Sequence, residues 1–201
     1  MKTRSASRLI RAVLCMVILS SACVAAPCPT DTLTNYINKV QICTINNRTF
    51  SKFKKISANS IDTDDITVTP IKTADYVGLE FTGFGKATQP NYGLQLSYQV
   101  NALDDDLKAS TPLTELIVNL DDINVVAGTS AFAGMAYTVA LNSDAVSVNA
   151  STPLPKRKRS AAEFDKTTVI EVTNSSMGAV SLMQGKQATF KSVRNRFYPA
   201  K

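Results

Sequence analysis

The chain has 201 residues, 44% of them hydrophobic, with 22 Lys or Arg against 16 Asp or Glu and a formal net charge of +6. It contains no histidine and no tryptophan. Histidine is the usual general base near neutral pH and the commonest metal ligand, so Ser-His and Cys-His hydrolases are excluded along with most metalloenzyme designs, and nothing in the composition calls for a cofactor.

The first twelve residues carry Lys2, Arg4, Arg8 and Arg11 and no acidic residue. An apolar run from Val13 to Leu19 follows and ends in Ser20, Ser21 and Ala22. Basic flank, short apolar segment and small-residue exit make a secretory signal peptide. The run is too short to span a membrane, which takes about 20 apolar residues. Cleavage is expected after Ala25 or Ala26, and Pro27 favours Ala25. That division gives a leader over 1–25 and one mature domain over 26–201, with no transmembrane segment in it. A Ser-Ala pair before Cys23 leaves lipid attachment as an alternative, although Ser20 stands where such motifs usually want Leu. Secretion, to the exterior or to a periplasm, is the expected destination.

Removing the leader takes four of the 22 basic residues and none of the acidic ones, which leaves 18 against 16. A net charge of +2 gives no basic face of the kind nucleic acid requires. Cys15 and Cys23 leave with the leader, so Cys28 and Cys43 remain as a pair. In an oxidising compartment such a pair reads as a disulfide.

Thr30 to Asn38 reads as a short helix, with Thr30 as cap, Asp31 in the first turn, and Leu33, Tyr36 and Ile37 on one face. Beyond Cys43 the pattern alternates, which signals strands. Ile66, Val68 and Pro70 alternate with threonines; Val77, Leu79 and Phe81 follow, then Leu94, Leu96, Tyr98 and Val100. Leu116, Val118 and Leu120 repeat it up to Asp121-Asp122, where a bulge or turn explains the change of phase to Ile123 and Val125. Ala131 to Leu141 suits a central strand. A polar loop is expected next, then strands over Thr168 to Val172, Met177 to Leu182 and Gln187 to Phe197. About nine or ten strands and one short helix make an all-β fold, an antiparallel jelly-roll-like β-sandwich. A closed β-barrel is the alternative that periodicity does not separate from it.

Acidic clusters occur at Asp62-Asp64-Asp65, Asp75, Asp104-Asp105-Asp106 and Asp121-Asp122. They lack the spacing of an EF-hand loop, and acidic turns at strand ends are the ordinary reading, so no metal site is assigned. Glu80, Glu115 and Glu171 fall in strands, but nothing pairs them as glycoside hydrolysis requires, and no catalytic residue is assigned. Sugar binding without catalysis is the better alternative. Tyr76, Tyr92 and Tyr198, near strand ends, are the candidate stacking platforms, whereas Tyr98 and Tyr137 fall on core phases. Lys156-Arg157-Lys158-Arg159 reads as an exposed, protease-sensitive loop. The sequons at Asn47, Asn149 and Asn174 are short matches close to chance in a chain this rich in Ser, Thr and Asn.

The order of motifs also resembles the PEP-CTERM-type exported β-sandwich proteins of bacteria. The likeness rests on Cys28, Leu33, Tyr36-Ile37, Cys43-x-Ile45, Phe50-Ser51-x-Phe53, Ile66-x-Val68-x-Pro70, Gly78-Leu79-x-Phe81, Leu96-x-Tyr98-x-Val100 and Ser192-Val193-x-Asn195-x-Phe197. It implies association with the cell envelope and an exopolysaccharide matrix, and no catalytic residue. The chain departs from that group in stopping at Phe197-Tyr198-Pro199-Ala200-Lys201 with no Pro-Glu-Pro motif and apolar helix, which implies plain secretion or periplasmic residence. The expected function is a non-enzymatic envelope or extracellular-matrix protein with a structural or adhesive role. A carbohydrate-binding module is the alternative, and a glycoside hydrolase ranks behind both. Oligomeric state is open.

Overall fold

A computed structural model of the chain describes residues 25–84, 92–102, 111–126, 128–139, 142–151, 159–181 and 188–200. The leader with Cys23, the Asp104 to Asp106 cluster and Lys156 to Lys158 lie outside the described residues.

Among the described residues twelve strands form two six-stranded antiparallel sheets. The first sheet has β1 (Asp31–Thr32), β4 (Thr67–Lys72), β5 (Val77–Thr82), β12 (Ser192–Pro199), β7 (Leu113–Asp121) and β10 (Arg159–Thr167), in that spatial order. The second has β2 (Ile42–Ile45), β3 (Arg48–Asn59), β6 (Tyr92–Asn101), β11 (Val169–Ser181), β8 (Thr129–Val139) and β9 (Asn142–Ser151). Both sheets end in open edges, so the fold is a sandwich and not a barrel.

Period-two patterning explains the layers. Along β6, Tyr92, Leu94, Leu96, Tyr98 and Val100 are buried while the residues between them are half-exposed, and β8 alternates in the same way. The inner faces meet in one core that includes Leu79, Phe81, Leu116 and Phe197 from the first sheet and Leu96, Tyr98, Val100 and Ile170 from the second. Each large apolar side chain buried there contributes about 1.5–3 kcal/mol.

Several expectations are corrected. The helix is shorter than expected and starts later: one α-turn, α1 (Leu33–Asn35), continues as a π-helical turn over Tyr36–Val40. Thr32, not Thr30, is the cap, its hydroxyl accepting from the Asn35 amide at 3.3 Å. Asp31 is not in the first helical turn, because it pairs with Val68 in β1. From there its carboxylate accepts from the Thr32 amide and the Asn35 side chain, each at 2.7 Å. The helix ends at Gln41, which adopts a positive φ of 48°.

The turn at the two aspartates is present, with Asp122 at φ 50°. The chain does not resume a strand there, however, and makes only a single bridge from Asn124 to Thr189. The two stretches expected at Thr168–Val172 and Met177–Leu182 join into one strand, β11, whose register slips between Val172 and Asn174. The expected polar loop after Leu141 is the largest error, because it holds β9 and β10. These are edge strands, wet on one face and along one side, so Ser, Asn and Asp are tolerated at most positions. Only Val146 and Val148 of β9 are fully buried among its described side chains. The β2–β3 hairpin was also missed. Its turn is Asn46-Asn47, both at positive φ (47° and 58°), the backbone of a two-residue type I′ hairpin.

The disulfide is formed: Cys28 and Cys43 have Cα atoms 4.7 Å apart. It ties the segment before α1 to β2, where the Cys28 amide also donates to the Thr44 carbonyl at 3.0 Å. Among the described residues no helix is long and apolar enough to cross a membrane.

Candidate functional site

Strand β12 sets the geometry of the site. Its buried residues Val193, Asn195 and Phe197 face the core, so Arg194, Arg196 and Tyr198 stand on the outer face. Phe197 pairs with Val77 across to β5, which brings Tyr198 beside Tyr76. Below them Phe197 is fixed edge-on against Phe50 (5.9 Å) and Tyr98 (6.4 Å).

Tyr76 is positioned by the turn before β5. The Thr73 hydroxyl accepts from the amides of Asp75 (3.2 Å) and Tyr76 (3.1 Å), and the Thr73 amide donates to the Tyr76 carbonyl at 3.0 Å. A Thr that closes its own turn in this way holds the backbone without help from distant groups. The rings of Tyr76 and Tyr198 lie 5.0 Å apart at a tilt of 37°. The Arg196 guanidinium sits 4.9 Å from the centre of the Tyr76 ring, within cation–π range. Both tyrosines are half-exposed.

A cleft opens on either side of this pair. One, of about 570 Å³, is lined by Asn46, Asn47, Arg48, Thr73, Tyr76 and their neighbours. Arg48 is buried in its wall, and its Nη2 donates to the Thr111 carbonyl at 2.6 Å. Burial lowers its pKa from the ordinary arginine value, yet guanidinium stays protonated in proteins. The other cleft, of about 650 Å³, is bordered by Tyr198, Glu115, Glu163 and Phe164.

Tyr92 does not join the platform. It lies on β6 of the opposite sheet, 9% exposed, on the same phase as Leu94, Leu96 and Tyr98. That shared parity was the available signal. Tyr98 and Tyr137 are core residues as expected, at 1% and 3% exposure. Sequence reasoning passed over Arg196, although it stands two positions from Tyr198 on the same outward phase. Glu163 was hidden within the supposed loop.

Farther along the outer face, Glu80 is held in a charged cluster, paired with a cation and not with a second carboxylate. Arg194 Nε donates to Glu80 Oε1 at 2.8 Å and lies 3.4 Å from Asp121 Oδ2. Burial works to raise the Glu80 carboxyl. Hydrogen bonds from Arg194 and Ser192 and the nearby cations outweigh it and hold the pKa below the usual carboxylate value. The stabilisation is therefore complete above the unfolded value of about 4.3 and is lost as pH falls through the lower folded one. Glu80→Gln should cost a few tenths to about 1 kcal/mol near neutral pH, given how exposed the pair is, and nothing once both forms are protonated. Urea midpoints of both proteins near pH 7 and at successively lower pH check this, the gap closing as the folded carboxylate takes up its proton. A gap that persists at the acid end would show that the charge is not its source.

Asp62 serves its own turn, its carboxylate accepting from the Asp64 amide at 3.0 Å. Among the described residues no three His, Cys, Asp or Glu side chains converge to hold a metal ion.

No family model and no curated protein matches the chain. Among solved structures it is similar to the enzymatically active domain of bacteriophage CBA120 tailspike protein 4, with a TM-score of 0.27 and 10% identity over 84% of this chain and 21% of that one. The chain thus spans about a fifth of the tailspike's length. It is also similar to the CBM22-1 xylan-binding domain from Paenibacillus barcinonensis Xyn10C, with a TM-score of 0.25 and 10% identity over 89% of this chain and 99% of that one.

Proposed function

We propose that this chain is an exported, non-enzymatic β-sandwich that associates with polysaccharide of the cell envelope or extracellular matrix. The observation that carries this is the tilted Tyr76–Tyr198 pair, half-exposed between two clefts and braced by Arg196. Tyrosine combines a large apolar ring with a polar hydroxyl, which suits the apolar face of a pyranose and its hydroxyl rim. Carbohydrate binding is thus favoured over a purely structural role. The disulfide agrees with an oxidising compartment, and the leader read over 1–25 supplies the route.

Two measurements test this. Retention on immobilised or insoluble polysaccharides should fall by about tenfold, or about 1.4 kcal/mol, in Tyr76→Ala and again in Tyr198→Ala, with thermal unfolding little changed because both rings are half-exposed. Equal retention of wild type and both variants would overturn the platform. N-terminal sequencing of exported protein should begin at or next to Ala26, and material that still carries Met1 in a membrane fraction would overturn the assignment of the leader.

A further inference from the structure

We infer that the site takes a polysaccharide along its length, not at its terminus, in a groove running from Tyr76 and Tyr198 to Phe164. We infer also that the polymer bears hydroxyl or ammonium groups and no anionic ones. This deepens the carbohydrate-binding proposal and rests on it.

The clefts form a series. The first and second share Ala74 and Pro199, while the second shares Glu163 and Phe164 with a third of about 580 Å³. Pairing register explains the continuity: Tyr198 on β12 faces Glu115 on β7, which faces Glu163 on β10. With Tyr76 at the head of β5, the row crosses four neighbouring strands, roughly 14 Å at about 4.8 Å per strand. At its far end Phe164, half-buried on β10 and packed against the core, borders the second and third clefts and lies 5.9 Å from the Tyr137 ring on β8 of the other sheet. Clefts that run on from one another across four strands, with rings at two places, suit several consecutive units of a chain better than one terminal unit.

The polar groups set the chemistry. Among the described residues, those lining the second and third clefts include Asp75, Glu115, Glu163, Asp144 and Asp165 and no Lys or Arg, although the chain without its leader carries slightly more basic than acidic residues. Ionised carboxylates only accept hydrogen bonds, so the ligand must donate. Glu115 stands directly opposite Glu163, an arrangement that costs stability in a sheet, and Arg159 lies 3.7 Å from Glu115 alone of the two. Arg48, the cation in the wall of the first cleft, already donates to the Thr111 carbonyl, and the nearby Arg196 guanidinium lies against the Tyr76 ring. A uronate or sulfated chain would meet repulsion along most of the groove.

Calorimetric titration with di- to hexasaccharides of three series tests both parts: β-1,4-glucan, its amino counterpart (deacetylated chitin) and polygalacturonate. Affinity for the first two should climb at least about tenfold from dimer to hexamer. The galacturonate hexamer should bind about tenfold or more weakly, with the deficit shrinking at high salt. Phe164→Leu, which keeps an apolar residue against the core, should bring the hexamer-to-dimer ratio toward one. Glu163→Gln, exposed and freed of a like charge, should stay folded and narrow the deficit. Binding that is independent of length, or galacturonate bound as well as glucan, would overturn the inference while leaving carbohydrate binding intact if Tyr76→Ala still weakens it. No binding in any series overturns both.

Discussion

Asn195→Ala is expected to destabilise the protein by about 3–5 kcal/mol, more than any surface change considered above. Asn195 is fully buried on β12, and its Nδ2 donates to the Tyr98 hydroxyl at 2.9 Å and to the Ser175 hydroxyl at 3.0 Å. Both acceptors belong to the other sheet, so one amide links the two layers through the core. Removing it leaves two buried hydroxyls without this donor, at about 1–3 kcal/mol each, and opens a small void. Burial raises the Tyr98 pKa strongly, which keeps that hydroxyl neutral, and the Asn195 bond only partly opposes it. Asn195 Oδ1 has no partner among the described residues, so part of the amide's desolvation cost is already borne in the native fold. Asn195→Leu combined with Tyr98→Phe should therefore recover part of the loss, because apolar replacement removes the amide and the Tyr98 hydroxyl and leaves only the Ser175 hydroxyl without this donor. Chemical denaturation of both singles and the double gives the coupling directly. A cost below about 1 kcal/mol for Asn195→Ala would show that the sheets do not depend on this link.

Cys28→Ser should cost about 3 kcal/mol, the loop-entropy value for the 15-residue separation the bridge closes. For a domain of this size that is a fall in melting temperature of roughly 6–12 °C. The fold should survive, because most of the core lies outside the tied segment. Scanning calorimetry measures the shift. Alkylation of unreduced protein followed by intact mass should find no reactive thiol at Cys28 or Cys43. Labelling of both would contradict the bridge, and an unchanged melting temperature would contradict its contribution.

The architecture was legible wherever one face of a strand was dry. Strands β6 and β8 bury every second residue, β5 does so but for the buried Gly78, and their alternation was read correctly. Edge strands gave no such contrast: Ser143, Ser147 and Asn149 of β9 resemble loop residues because little of that strand needs to be apolar. Asn46-Asn47 is a weaker hairpin signal than Asn-Gly, so the first hairpin went unread. The site was half legible. Alternation placed Tyr76 and Tyr198 near strand ends, but their meeting depends on β5 pairing with β12, and register between strands distant in sequence leaves no local trace. Tyr92 was misplaced for the opposite reason, since its parity with Leu94 and Leu96 was visible and proximity to the strand end was weighed above it.

The place of β12 in its sheet also fixes an order of events. This last strand lies between β5 and β7, and Arg194 reaches Glu80 across 114 positions of chain. Until β12 arrives, the sheet is two separate halves, and closing so long a loop is slow compared with forming hairpins such as β4–β5. The tyrosine platform is therefore among the last features to form. A chain in which β12 has not yet docked holds Tyr76 without Tyr198, so the paired rings do not exist until the sheet is complete. On the function proposed above, binding competence is then a marker of completed folding, set by the place of β12 in its sheet.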